Sequence, residues 1–355
     1  SLRVLNAPAG LVDFIFNPAP VYIANLSGDQ TGRPLSELAR LTGGSADAII
    51  NVYYDPDKGQ TFVEYGAYPG KGANPFAFKD VRVAMNYLID RDNIVSTIYR
   101  GSATPMYTFL SSYDPDFPLI SDIVLRYKFA YNPQLAEQIV TSALTKAGFQ
   151  KVGGVWSYGG TPIQINFIIR VEDERRDVGD QLATALETLG FRVNRLYMTF
   201  GPAIDTVYGT DPAEFKWHIY TEGWGKTGIS KYDSASIAQF CAPWYGYMPG
   251  WAEATFWNYR NATLDDITER IYSGNFTSKE ERDSLYRKGV ELCIAEGVRA
   301  WVATRLDSYV LRADIRGYTN DVGAGLRGLW SLREMRAPGK TTLNLGHLWV
   351  YTART

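Results

Sequence analysis

The chain has 355 residues, 45% of them hydrophobic and 21% charged, with a net charge of −2. This ordinary globular balance gives no reason to propose nucleic acid or anionic lipid as a partner. Its two histidines and two cysteines form neither Cys-x-x-Cys nor His-x-x-x-His, which argues against a zinc site. No run approaches the roughly 18 apolar residues of a membrane helix, and the start, Ser1 to Leu5, lacks the charged and apolar regions of a signal peptide.

The length suits one large domain or two lobes. Residues 1–65 read as short strands and turns. Val12 to Phe16 is apolar and β-prone, and Asp47 to Tyr54 is the clearest early strand. The turn Asp55-Pro-Asp-Lys-Gly59 closes it. That turn is no EF-hand loop, because its glycine comes one place early and no Glu stands at the twelfth position. Residues 66–76 are dense in Gly and Pro, the composition of a linker or hinge.

Asp80 then caps a helix whose apolar positions Val81, Ala84, Met85, Leu88 and Ile89 keep the helical period. Ile94 to Tyr99 makes a second short helix, closed by Gly101. Asn132-Pro133 starts another, ended by Gly148. Val155 to Ile169 reads as a hairpin turning at Gly159-Gly160. Glu172, Asp173 and Glu174 beside Arg175 and Arg176 read as a solvated turn. A helix from Val178 to Leu189 precedes a strand from Phe191 to Leu196. Trp217 to Tyr220 is a strand, with His218 structural, and it leads into Glu222-Gly-Trp-Gly225. Strands alternating with helices predict an α/β lobe.

Residues 222–260 read as loop and hold four of the nine Trp. Leu264 to Tyr272 and Lys279 to Glu296 are helical, and Trp301 to Leu311 and Leu329 to Leu332 are strands. Cys241 and Cys293 either pair or remain two buried thiols. Sequons at Asn25, Asn261 and Asn275 are suggestive only.

Six segments, in order, resemble the extracellular solute-binding proteins of family 5, the dipeptide and oligopeptide receptors of ABC importers. Asn74 to Arg91 carries a proline–apolar step before D-x-R-x-x-x-x-x-x-I-D-R (Asp80, Arg82, Ile89, Asp90, Arg91). Tyr131-Asn-Pro133 with Ala147-Gly-Phe149, the strand–helix–strand from Ile163 to Arg195, and Gly223-Trp224 follow. Arg316-Gly-Tyr318 and Leu329-Trp330 complete the series. The resemblance implies a periplasmic-binding-protein-like (type II), two-lobe α/β architecture, with one lobe largely complete and the other partial. Residues 1–75 are then the second pass of the first lobe, with Ala9-Gly-Leu-Val-Asp13 as one of its strands. Residues 76–305 form the second lobe and 306–355 the return, with crossings near Gly66–Pro75 and Val302–Arg312. The first pass of that lobe and the family's small extra domain have no counterpart, so a fragment is expected.

The same resemblance implies a monomeric receptor, not an enzyme, that needs no cofactor or metal. It would deliver an oligosaccharide or oligopeptide to the membrane subunits of an ABC importer. It would be extracellular or periplasmic, and membrane-anchored in the full-length protein. With the aromatic density, it nominates Glu222, Trp224, Lys226, Thr227, Tyr232, Asp233, Trp244 and Trp251 for ligand contact. Trp rings offer flat faces, and the polar members offer hydrogen bonds. The family's peptide receptors carry an acidic residue after the Gly-Trp to meet a peptide's α-amino group. Here Gly225-Lys-Thr-Gly228 follows, and Asp233 is the nearest downstream acid, which tilts the ligand towards sugar. Two other readings compete. One is a structural or cell-surface module without ligand. The other is a glycoside hydrolase, for which no carboxylate pair is singled out.

Overall fold

The computed structural model describes residues 14–16, 48–54, 60–68, 73–211, 214–225, 235–245, 259–312, 315–319, 328–343 and 345–346. In chain order its strands are β1 (Phe14–Phe16), β2 (Ala48–Tyr54), β3 (Gln60–Tyr65), β4 (Ala103–Pro105), β5 (Gln150–Val152) and β6 (Val155–Tyr158). They continue as β7 (Thr161–Pro162), β8 (Gln164–Arg170), β9 (Arg192–Met198), β10 (Ile219–Trp224), β11 (Arg299–Arg312) and β12 (Leu345–Gly346).

The main sheet runs β12-β1-β11-β3-β10-β8-β9, with β2 and β4 also on β11. β8 lies parallel to both β9 and β10, and β3 is antiparallel to β10 and β11. The long β11 serves two neighbourhoods. Arg299 to Thr304 pair with β3, whereas Leu306 to Arg312 pair with β2.

Helices cover both faces of the lobe that holds β3, β8, β9 and β10. On one face lie α1 (Lys79–Ala84), α3 (Pro133–Lys146) and α4 (Arg175–Thr188). On the other lie α2 (Phe117–Arg126), α5 (Phe200–Gly209), α6 (Ala235–Cys241), α7 (Ala262–Ser273) and α8 (Lys279–Glu296). The period-2 alternation of strands sorts the side chains. Val63 and Tyr65 enter the first core and Phe62 the second. Ile165, Phe167 and Ile169 face α4's side, and Ile168 packs beneath α5 with Tyr208 and Tyr220. Burial on both faces is why β8 reads as a nearly continuous apolar run.

Several expectations change. The Gly/Pro-rich segment is no loose linker where it is described. The Gly66 N–H donates to the His218 carbonyl at 2.9 Å, and the Tyr68 hydroxyl to the Trp217 carbonyl at 2.9 Å. Asn74 Nδ2 donates to the Gly66 carbonyl at 2.7 Å, while its Oδ1 accepts the Phe76 N–H at 3.0 Å. Asn74 is thus the cap of the first helical turn, and Asp80 lies inside the first turn of α1. The hairpin around Gly159-Gly160 exists as β6 and β7, but its second arm ends at Pro162, and β8 joins the main sheet beside β9. Leu329 to Leu332 belongs to a helix, α9 (Leu329–Glu334), with Ser331 Oγ clasped to the Thr319 backbone. A four-residue run with three apolar members fits either element.

Cys241 and Cys293 form a disulfide with Cα atoms 5.5 Å apart, joining α6 to α8. The expected turn at Asp55–Gly59, the Ala9–Asp13 strand and the sequon at Asn25 lie outside the described residues. No described helix is long and apolar enough to cross a membrane.

Candidate functional site

In an open α/β sheet the chemistry collects outside the carboxyl ends of the parallel strands. Here that edge is formed by Arg170 at the end of β8 and Trp224 at the end of β10. Gln60, where β3 begins, pairs with Trp224 on one side and Thr304 of β11 on the other. Just past this edge, from Leu306, β11 leaves β3 for β2.

Charged pairs line the edge. Arg170 donates to both carboxylate oxygens of Glu172, at 2.8 and 2.9 Å, and to the Tyr220 hydroxyl at 3.0 Å. Arg175, in the first turn of α4, grips Asp173 through two contacts of 2.6 Å. Arg305 sits 3.6 Å from Glu174. Burial alone would raise the Asp173 carboxyl, but the Arg175 guanidinium outweighs it and holds the group below the usual carboxylate range. Residues 172–175 are therefore ordered by ion pairs, while Glu172 and Arg176 keep the solvent exposure expected of the turn.

β10 extends through Trp224, four residues past the expected strand end, because β3 pairs along its whole length. Alternation then decides each side chain. Thr221 and Gly223 face α4: a Cβ on Gly223 would meet Arg175, and the Thr221 methyl lies close to Gly179. Tyr220, Glu222 and Trp224 face the opposite layer. Trp224 is half-buried with its ring edge-on to Phe240 at 6.1 Å. Glu222 is only 2% exposed, and its carboxyl is bonded to the Tyr208 hydroxyl. Its expected place among the ligand's hydrogen-bond partners gives way to an interior one.

Trp244 is occupied elsewhere. Its N–H donates to Thr268 Oγ1 at 2.8 Å, and its ring meets Tyr245 and Tyr272 edge-on at 5.6 and 5.4 Å. Lys226, Thr227, Tyr232, Asp233 and Trp251 lie outside the described residues. At this edge Trp224 pairs with Gln60 and turns towards Phe240, while Arg175 and Asp173 lie on the opposite face of β10 beside Gly223; sequence reasoning nominated none of Gln60, Asp173 and Arg175. The start of α4 directly after a strand carried the signal for the last two.

Two cavities lie away from this edge. One, of about 530 Å³, opens between α4 and the segment Leu88 to Ile94. The other, of about 440 Å³, is lined by Tyr158, Gln164, Phe215 and His218. Neither contains a nominated residue.

A family model described as bacterial extracellular solute-binding proteins, family 5 Middle, matches residues 5–246, beginning well before the Asn74 motif. No curated protein matches the sequence. Among solved structures, NikZ from Campylobacter jejuni in complex with Ni(L-His) has 16% identity and a TM-score of 0.59, covering 92% of this chain and 57% of that one. The oligopeptide-binding protein AppA from Bacillus subtilis, in complex with a nonapeptide, has 15% identity and a TM-score of 0.61, covering 90% and 59%. AgaA from A. tumefaciens R10, in complex with agropinic acid, has 13% identity and a TM-score of 0.62, covering 96% and 59%. The chain spans less than two thirds of the length of these structures. At such identities the likeness is one of fold, the type II periplasmic-binding-protein architecture expected from the motifs. The family is one of binding proteins rather than enzymes, and the chain belongs to it: the bacterial extracellular solute-binding proteins of family 5.

Proposed function

We propose that the protein captures a solute at the carboxyl edge of β8 and β10, between this lobe and the strands β1, β2 and β12. It then passes the solute to the membrane subunits of an ABC importer. The observation that carries this reading is that half-buried Trp224 on one face of β10, and Gly223 with the Asp173–Arg175 pair on the other, lie at the same sheet edge, where β11 passes from one neighbourhood to the other. A flat ring and ordered polar groups at one sheet edge suit a solute held by stacking and a few directed bonds. One crossing then falls at Thr304–Leu306 of β11, and residues 60–68 are bonded into the β8–β10 lobe. Closure about such a crossing would bury the solute.

The solute class is an oligopeptide or an oligosaccharide. The fold shared with a nonapeptide-bound protein supports the first, and the Trp224 ring supports the second. The family and the Cys241–Cys293 bridge support an extracellular or periplasmic place, since disulfides persist in oxidising compartments. An anchor in the full-length protein and a monomeric state belong to the same reading.

Thermal-shift and calorimetric titration of the full-length protein with peptide and oligosaccharide panels tests it. A ligand that binds the native state raises the unfolding temperature. Trp224→Ala should then weaken binding by about 1–3 kcal/mol. No shift with either panel would leave a structural surface module as the better reading.

A further inference from the structure

Four side chains from four elements meet beneath the carboxyl edge: Glu64 of β3, Tyr208 of α5, Glu222 of β10 and Arg299 at the start of β11. Glu64 is fully buried, and Glu222 and Arg299 are 2% and 6% exposed. Register explains the meeting. Glu64 stands opposite Tyr220 on one side and Arg299 on the other, and Glu222 lies two residues further along the same face of β10.

Arg299 Nε donates to Glu64 Oε1, and its Nη1 to the Phe240 carbonyl. The guanidinium lies near the rings of Phe62 and Phe240, at 5.5 and 5.7 Å. The Tyr208 hydroxyl is 3.0 Å from Glu64 Oε2 and also within bonding contact of Glu222 Oε2.

The protons can be counted. A phenol has one, and an ionised carboxylate has none to give. Tyr208 therefore donates to one carboxyl only. Its contact with the other is a hydrogen bond only if that carboxyl brings its own proton. Arg299 already donates to Glu64, which makes Glu64 the acceptor and the charge partner. One directed chain accounts for the Tyr208 and Arg299 contacts, with Glu222 donating to Tyr208, Tyr208 to Glu64 and Arg299 to Glu64, and a protonated Glu222 also suits its direct hydrogen bond with the Glu64 carboxyl. The chain is also neutral in sum. Two ionised carboxylates against one guanidinium would leave a net charge in the interior, where it is costly.

We infer that Glu222 carries a proton at neutral pH, and that the Glu222–Tyr208–Glu64–Arg299 chain is a pH-sensitive latch under the ligand edge that loosens when this proton is lost. Burial first, then the adjacent Glu64 carboxyl, holds Glu222 well above the carboxylate range. Burial also keeps the Tyr208 phenol neutral. Among the described residues, the other ionisable groups facing the cluster are Tyr220, whose hydroxyl Arg170 holds, and Tyr259 beyond Arg299.

The sign follows from the raised folded-state value. Stability is complete below the ordinary Glu value and is lost as pH rises towards the folded one. Over that range one proton costs the folding equilibrium about tenfold per pH unit.

The test is urea unfolding of wild type and Glu222→Gln from about pH 7 to about pH 9, joined to infrared spectroscopy of the carboxyl C=O band. Glutamine keeps a donor for Tyr208 and cannot ionise. Wild type should lose stability with rising pH while Glu222→Gln stays flat. The band of a protonated carboxyl should be present in wild type at neutral pH and missing from the variant. Equal slopes, or no such band in wild type, would overturn the inference. Should Glu222→Gln fail to fold, the wild-type infrared titration decides alone: the band must outlast the ordinary carboxyls as pH rises through neutrality.

Discussion

Gly223 lies against Arg175 and the backbone of Gln60: a Cβ at Gly223 would stand 3.5 Å from Arg175 Nη1 and 3.0 Å from the Gln60 carbonyl oxygen. The second distance is tighter than ordinary side-chain packing tolerates, and a strand carbonyl fixed by its ladder has little room to move. Gly223→Ala should therefore already lower stability, and Gly223→Val should lower it further, by about 1–3 kcal/mol. The branched side chain should also push Arg175 off Asp173 and weaken solute binding. Urea midpoints together with titration of any solute found give both numbers. A valine variant as stable as wild type would show that β10 and α4 are less closely interlocked than the distances say.

The Cys241–Cys293 bridge spans 52 residues and fastens the end of α6 to the last turn of α8. Between them lies α7, packed on both. A loop of this size, held closed in the unfolded chain, corresponds to a stabilisation of about 4 kcal/mol in the chain-entropy account. Reduction should lower the urea midpoint and also change the m-value, because the unfolded ensemble expands. Unfolding with and without dithiothreitol, with thiol counting under denaturant, checks this. An unchanged midpoint on full reduction would mean the helices hold their places by packing alone.

The fold was legible where local chemistry is insistent. Asn132 caps α3 by accepting the Leu135 N–H at 3.0 Å, with Pro133 at the first helical position. The Asp90-Arg91 step also read truly: Arg91 is buried, with its guanidinium spread over the carbonyls of Met106, Trp301 and Asn86. Other features were hidden because partners distant in sequence create them. The β10 extension through Trp224 exists because Gln60 and Thr61 pair with it. Glu222 read as a ligand anchor because sequence spacing cannot tell which face of a strand meets α5. The ion pairs of residues 172–175 read as solvated because three acids in a row do so on most surfaces. Asp80 lies inside α1, whose cap position is Phe78 with no side-chain bond, and Asn74 instead caps the short turn before it while its amide holds the Gly66 carbonyl.

His218 supplies the last prediction, and it opposes Glu222. Its Nδ1 accepts the Asn166 N–H at 3.0 Å, and its ring stacks on Phe215 at 5.5 Å. Protonation would set a donor against a donor. Burial pushes the imidazole down from its ordinary 6.5 to about 4. For a folded-state value so depressed, stability is full above about pH 6.5 and is lost as pH falls towards about 4, at about 1.4 kcal/mol per unit. Glu222 acts in the other direction, losing stability as pH rises above its ordinary value near 4.5. Between about pH 4.5 and 6.5 the two slopes should cancel, leaving the pair's contribution in wild type nearly flat. His218→Asn, whose Oδ1 can still accept the Asn166 N–H, should uncover a stability that falls as pH rises. Glu222→Gln should uncover one that climbs. Thermal unfolding of the three proteins across this window reads both slopes. If His218→Asn runs parallel to wild type, the imidazole is not the buried neutral group that the Asn166 contact requires.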